Sequence, residues 1–398
     1  MKLSEKIGKI EESVTLAITA KAGKLKDEGK DIIGFGAGEP DFNTPENIIK
    51  KAIQAMEEGK TKYTPASGIL PLKKALAEKF KNDNGLNYKP SQIIISTGGK
   101  QSLNNALSAI LNPEDEVLIP SPYWVSYPEL VKLSDGVPIL VKTGADSAYK
   151  ITPEILEKYV TPKTKAIIIN SPSNPTGSVY NRKELEGIAE FAKTHNLIIV
   201  SDEMYEKLIY DGAEHVSIAS LSDDAFERTI TVNGVSKAYA MTGWRIGYCA
   251  ASNDKIVKMM SNLQSHTTSN PSSISQYAAL EAVSGDQTKV LEMKKEFGKR
   301  KDLIMKLTDD IPGVSYIKPE GAFYLMINVS SVFGKKYKGR IIENSMDFAD
   351  ILLTDKLVAV VPGEAFGDPE FVRLSYATSR KNIEEGLKRF KELITELG

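Results

Sequence analysis

Six short apolar runs rich in β-branched residues mark the middle of the chain: IIIS at 93–96, EVLIP at 116–120, VPILV at 137–141, KAIIIN at 165–170, NLIIVSD at 196–202 and TITVN at 229–233. They are continuous rather than alternating, the pattern of strands buried on both faces. Patterns with helical spacing, such as KQSLNNALSAIL and RKELEGIAEFAKTH, separate several of them. This alternation predicts a mainly parallel sheet covered by helices. Upstream, Thr44 reads as an N-cap with Pro45 as the first helical residue, ahead of ENIIKKAIQAMEEGK. ILPLKKALAEKFKNDNG reads as a second helix stopping near Gly85. Beyond a long helical stretch at about 286–308 the pattern changes. GVSYIKPEGAFYLMINV, AVVP and FVRLSYA read as longer strands with polar alternation, followed by a C-terminal helix. The expected class is α/β, with a large domain at 46–285 and a smaller α+β domain formed by 1–45 and 286–398.

Composition narrows the function more than the fold. A chain of 398 residues suits one large core and a smaller one. Its 51 basic and 52 acidic side chains leave a net charge of −1, so no overall field invites nucleic acid or an anionic membrane. Cys249 is the single cysteine, which rules out an intrachain disulfide. With three scattered histidines, it suggests no cluster of metal ligands. The N-terminal stretch is amphipathic, with acidic as well as basic residues, unlike a signal peptide, and no uncharged apolar run has membrane-spanning length. The expectation is a cytoplasmic protein with no metal, membrane or nucleic-acid partner.

The candidate chemistry lies at the ends of the predicted strands. GGKQSLNNALSAIL follows IIIST directly, so free backbone N–H groups and the positive end of a helix meet at one point, a ready anion site. Gln101 follows Lys100 where a nucleotide-binding loop needs Ser or Thr. GFGAGEPD at 34–41 superficially suggests a dinucleotide fingerprint, but its glycines lead into Glu-Pro-Asp rather than a helix. SPSNPTG at 171–177 forces a turn after KAIIIN, where open α/β sheets place ligands; taken alone, Asn174 is equally a turn-former. Asp202 ends a buried strand, where a carboxylate needs a cation or a donor unless it simply caps a helix. Tyr205 follows three residues later. Lys237, if buried, becomes a candidate Schiff-base amine, because burial depresses its pKa. Arg245 and Arg373 sit among apolar residues, and a guanidinium there needs an anion or a structural ion pair. An aldehyde, a phosphate and a pyridine nitrogen on one cofactor, pyridoxal phosphate, would engage the lysine, the helix end with arginine, and the carboxylate.

The stretches AGEPDF, GKTKYTPASG, STGGKQSL, SPYWVSYPE, NSPSNPTG, VSDEMYE, SKAYAMTGWRIGY and VRLSYATS resemble those of class I aminotransferases of the aspartate aminotransferase family. The match spans essentially the whole chain and looks closest to the bacterial and thermophile-type branch of aspartate and prephenate aminotransferases. The resemblance implies a pyridoxal-phosphate-dependent transferase fold with a seven-stranded sheet. It implies that Lys237 holds the cofactor and moves a proton, that Asp202 keeps the ring nitrogen protonated, and that Tyr205 and Asn174 bond the ring's 3-oxygen. Trp124 would stack on the ring. Gly99, Lys100 and Arg245 would hold the phosphate, with Ser236 a weaker candidate, since the hydroxyl of some relatives falls at the position of Gly234. Tyr63 would reach the phosphate of a second subunit in a homodimer with shared active sites. Arg373 would grip the substrate α-carboxylate, with Gly38 lining the same space.

Substrate choice is where this pattern divides. NLQSHTTSNPSS has no arginine where some relatives bind the distal carboxylate, and Lys100 with Ser13 and Thr15 fits the alternative arrangement. Aspartate with 2-oxoglutarate is the expected pair. Glu11 and Glu12 stand where prephenate-using relatives often carry a lysine. The rival readings are an aminotransferase of aromatic, alanine or branched-chain specificity, a pyridoxal-phosphate lyase acting at Cβ, and an inactive binding protein of the same fold.

Overall fold

The computed structural model describes residues 3–12 and 14–397. Each of the six apolar runs forms a strand of one seven-stranded sheet: β1 (Ile93–Ser96), β2 (Glu116–Ser121), β3 (Val137–Lys142), β4 (Thr164–Asn170), β5 (Ile198–Asp202) and β6 (Thr229–Gly234). The seventh strand, β7 (Gly247–Ala251), was not among those runs. It reads GYCAA, whose small residues carry little strand propensity and owe their conformation to the neighbours on either side. The order is β1-β7-β6-β5-β4-β2-β3. Only β7 runs antiparallel to its neighbours, β1 and β6.

Burial on both faces accounts for the continuous apolar runs. Val117, Ile119, Ile168, Val200 and Val232 pack on one face against Leu103, Leu107 and Val131. These come from α1 (Gly99–Ile110) and α2 (Ser126–Leu133). Leu118, Ile167, Ile169 and Ile199 pack on the other face against Leu185, Ile188 and Phe191 of α3 (Arg182–Thr194). Near β1, Leu72, Leu76 and Phe80 from the helix Leu70–Asn84 join Ile93, Ile95 and Tyr248. That helix stops at Gly85, which takes φ 71°.

A second, antiparallel sheet follows the helix Thr288–Asp309. It contains β8 (Ser315–Ile317), β9 (Tyr324–Asn328), β10 (Val361–Pro362) and β11 (Phe371–Ser375), in the order β10-β11-β9-β8. These strands are no longer than those of the large sheet, and β11 is buried along its whole length, so the expected long, alternating strands are corrected. Phe297, Ile304, Leu387 and Phe390 from the flanking helices cover Leu325, Ile327, Val372 and Leu374. Arg373 and Ser375 are the polar residues of this otherwise apolar strand.

The start of the helix after Thr44 also differs from expectation. The helix begins at Glu46, Pro45 takes the cap position, and no side chain caps it. The Thr44 hydroxyl instead donates to the Ala240 carbonyl at 2.6 Å and accepts from the Trp244 indole at 2.9 Å. The hydroxyl is therefore committed to tying together the segment that carries Lys237 and Arg245.

Two glycines let β7 meet the start of α1. A Cβ on Gly247 would stand 2.2 Å from the Gly99 amide nitrogen and 2.7 Å from its Cα. Both obstacles are backbone, so neither can swing aside. Gly247→Ala should lower stability by about 1–3 kcal/mol or more, as overpacking does. Urea unfolding of the two proteins would measure it, and an unchanged midpoint would count against so tight a contact.

Candidate active site

The strands β4 and β5 end side by side, with Asn170 in register with Asp202. There they open onto a cavity of about 410 Å³, bounded also by the loop at 36–39, the start of α1, the segment 236–245 and Arg373. This is the carboxyl end of a parallel sheet, where the chain diverges and leaves a crevice. The volume falls in the roughly 300–1,000 Å³ range of small-molecule sites.

Asp202 is buried, and two donors hold it. The Tyr127 hydroxyl donates to Oδ2 at 2.7 Å and the Met204 N–H to Oδ1 at 3.2 Å. Burial pushes its pKa up to about 6, against the lowering effect of these hydrogen bonds; Glu203 adds to the rise and Lys237 opposes it. Across the cavity, the Lys237 ammonium donates to the Gly38 carbonyl. Desolvation brings its pKa down to about 8, helped by Arg373 and Arg245 and resisted by Glu39 and Asp202. A lysine so depressed is partly neutral near pH 7–8 and can act as nucleophile or base.

Arg373 closes one end. It is buried, donates from Nη1 to Asn174 Oδ1 and from Nη2 to the Gly36 carbonyl, both at 3.0 Å, and lies 4.4 Å from the Tyr324 ring centroid. Its Nε is buried without a partner, and among the described residues no carboxylate pairs with it. A buried guanidinium lacking a counter-ion calls for an anion. Tyr205 lies nearby with its hydroxyl 2.7 Å from that of Tyr324. Burial raises the Tyr205 phenol well above its ordinary range.

The other end is a cationic cup. Gly99 and Lys100 open α1, and Lys100 Nζ lies 5.1 Å from the Trp124 ring centroid. Burial and the charge of Arg245 lower the Lys100 pKa. Arg245 is exposed at the rim, with Nη1 bonded to the Thr242 carbonyl at 2.8 Å and no carboxylate partner among the described residues. A Cβ on Gly98 would stand 2.5 Å from Arg245 Nη2, so the glycine leaves room for the guanidinium. Ser236 lines the same cavity. At Gly234 a Cβ would crowd the Ile246 carbonyl at 3.1 Å and Gly247 Cα at 3.2 Å, so a side chain there would need these neighbours to give way slightly. A helix end, the cations Lys100 and Arg245, a depressed lysine and a buried carboxylate are the set of groups that pyridoxal phosphate requires.

Lys237, Asp202, Tyr205, Gly99, Lys100, Trp124, Asn174, Ser236, Arg245, Gly38, Arg373 and Thr15 all line this cavity. Ser13 lies outside the described residues. Tyr63 is 92% exposed and does not line the cavity. Sequence reasoning missed Tyr127, Asn170, Tyr324, Thr19 and Glu39, all of which do. Tyr127 follows Trp124 by three residues, one helical turn, and Asn170 ends the strand beside that of Asp202; both signals were available. Glu39 is held by the Thr242 hydroxyl at 2.8 Å, a long-range contact without a local signature. Glu203, Glu206 and His215 place their ligand atoms within 4.8 Å of one another, although the Lys79 ammonium already sits on Glu206. No helix among the described residues is long and apolar enough to cross a membrane.

Residues 30–390 match the family model described as aminotransferase class I and II. The chain is 53% identical to an aspartate aminotransferase of Bacillus sp. (strain YM-2), over 98% of this chain and 99% of that one. It is 48% identical to a probable aspartate/prephenate aminotransferase of Rickettsia bellii, over 98% of each. The solved structure of Thermus thermophilus aspartate aminotransferase with maleate superposes with a TM-score of 0.93 at 41% identity, covering 99% of this chain and 100% of that one.

The charge state of Asp202 has a thermodynamic consequence. Its folded pKa of about 6 exceeds the ordinary 3.8, so the folded chain binds more protons than the unfolded one between these values. Stability without cofactor therefore falls as pH rises through that window. Asp202→Asn removes the penalty. Without cofactor the variant should be more stable at pH 7–8 by on the order of 1–3 kcal/mol, the gap closing below about pH 4. Denaturant unfolding across pH would show it; a less stable variant at pH 8 would refute the buried charge.

Proposed function

The chain belongs to the class I and II aminotransferases, and we propose that it transfers the amino group of L-aspartate to 2-oxoglutarate, giving oxaloacetate and L-glutamate. The observation that carries this reading is a pH-tuned lysine and a buried carboxylate between Arg373 at one end and Lys100 with Arg245 at the other, none of these cations paired with a carboxylate among the described residues. Enzymes of this family use pyridoxal phosphate, whose ring, when bound, accepts the electrons left on Cα once its proton departs.

Each residue then has a separate task. Lys237 would hold the cofactor and would take the proton from substrate Cα. Asp202, kept in place by Tyr127 and Met204, stabilises positive charge on the ring nitrogen. Tyr205 and Asn174 bond the ring oxygen, and Trp124 covers the ring face. The backbone amides of Gly99 and Lys100, with Ser236 and Arg245, would hold the phosphate, with Tyr63 contributed across a homodimer interface. Arg373 grips the α-carboxylate near Gly38, while Lys100, Thr15 and Ser13 receive the distal one. The two arginine–lysine ends thus fix the substrate at both carboxylates and leave its Cα–H bond facing Lys237. The segments 1–45 and 286–398 form a smaller body that closes on 46–285 and excludes water. The reaction runs in the cytoplasm, and donor product leaves before the acceptor enters.

One ammonium with two hydroxyls selects a dicarboxylate by charge but lacks the rigid fork of an arginine. Lys100→Ala should lower kcat/KM for aspartate by about 10-fold or more, while that for alanine or phenylalanine changes little. Unaltered aspartate preference would exclude the substrate assignment. Conversion of aspartate only when an oxo acid is supplied separates transfer from elimination at Cβ.

The lysine itself makes a pH-dependent prediction. Only its neutral form attacks an aldehyde, and its pKa is lowered to about 8. The rate at which the cofactor-free chain takes up pyridoxal phosphate should therefore rise with pH and level off above about pH 8. Lys237→Ala should abolish both covalent uptake and turnover; full turnover in that variant would defeat the mechanism.

A further inference from the structure

Behind Asp202, on the side of the sheet turned away from the cavity, the chain buries four charged or titratable groups. Successive residues of an extended chain point to opposite sides, so Glu203 faces away from the direction of Asp202. Glu203 is 1% exposed. One of its oxygens accepts from Ser201 Oγ at 2.9 Å and Ser217 Oγ at 2.6 Å; the other lies 2.9 Å from His215 Nε2. Glu206 accepts from the Lys79 ammonium and, at 2.9 Å, from Asn84. Lys79 in turn donates to Asn84 Oδ1 at 2.8 Å. This hydrogen-bonded array has no role in the steps assigned above.

Its charges decide its state. Two carboxylates against one ammonium leave one uncompensated negative charge in a buried site, which is costly. A protonated His215 removes it. The groups packed around this pair are Glu206, Lys79 and Asp83, the last bonded to Lys207 at 2.8 Å, together with the hydroxyls of Tyr88, Tyr239 and Tyr248. The tyrosines are held neutral by burial. Burial opposes the imidazolium and so does Lys79, but Glu203 and Glu206 outweigh them and raise the His215 pKa above its ordinary value. His215 Nδ1 is buried with no partner among the described residues, so the carboxylates settle the balance.

We propose that Glu203 and protonated His215 are a positioning pair for Asp202, balanced by Glu206 and Lys79, which sets from behind the charge that Asp202 presents to the ring nitrogen. Glu203 is joined to Asp202 by one peptide bond, and its negative charge is one of the influences on the Asp202 carboxyl. Cancelling that charge with His215 keeps Asp202 ionised to lower pH. The proposal rests on the aminotransferase reading for its consequence, but not for its premise.

Imidazole NMR tests the premise without any turnover. The chain has only three histidines, His195, His215 and His266, and His215→Gln assigns the signal by its loss. In the wild-type protein, with and without pyridoxal phosphate, His215 should stay protonated through pH 7, and in Glu203→Gln it should become neutral below that. Kinetics tests the consequence. The acid limb of kcat/KM for aspartate should move up by about one pH unit in His215→Gln, a tenfold change in the ionised fraction of Asp202. The limb should return toward the wild-type position in the double variant with Glu203→Gln, where the charges again balance. A neutral wild-type His215 at pH 7 overturns the proposal. So do single variants that lose thermal stability while leaving the acid limb in place, since that pattern describes a structural brace only. Absence of transamination with a protonated His215 would instead overturn the function reading.

Discussion

The hydrogen bond from Tyr127 to Asp202 is the contact on which the site's chemistry depends. A carboxylate at the end of a buried strand would ordinarily protonate or draw in water. Here a phenol from the start of α2 and the Met204 N–H accept that burden, and the group stays titratable near pH 6 rather than being neutralised outright. Its charge is one of the two that raise the Lys237 pKa against burial and the neighbouring arginines. Loss of the Tyr127 hydroxyl would therefore reach both sides of the cavity.

Much of the fold was legible because burial leaves a simple record. A strand covered on both faces must be apolar throughout, and six of the seven strands of the large sheet announced themselves that way. β7 did not, because Gly247 answers to its closeness to α1 and the glycine and alanines of GYCAA carry little strand propensity. The small sheet was misread in length for a related reason. Its strands hold Arg373 and Ser375 among apolar residues, which looks like alternation in sequence but is a buried strand that carries one cation to the cavity.

The candidate site divides similarly. Residues whose charge is anomalous for their surroundings, Lys237, Asp202 and Arg373, could be picked out one by one, since each poses a desolvation problem that local structure does not solve. Tyr127, Tyr324 and Glu39 could not, because a buried phenol or a surface glutamate is unremarkable until its partner is known. Those partners are 75 residues away for Tyr127, 119 for Tyr324 and 203 for Glu39. Only topology brings them together. The same holds for Thr44, whose apparent capping role gave way to two contacts about 200 residues downstream.

These long-range ties have a common direction. Thr44 grips Ala240 and Trp244, Glu39 grips Thr242, and Lys237 reaches Gly38. All of them join the N-terminal stretch 38–44 to the segment 237–244, so the lysine and its rim are positioned from outside the large sheet. Arg373 is bonded to Gly36 on one side and to Asn174 on the other, and so links that same stretch to the large-sheet side of the cavity. An anion arriving at Arg373 would have to share or displace these two neutral acceptors. An anionic acceptor outcompetes a carbonyl or amide oxygen for a guanidinium, so occupation of this end would bear on the stretch that meets the lysine segment.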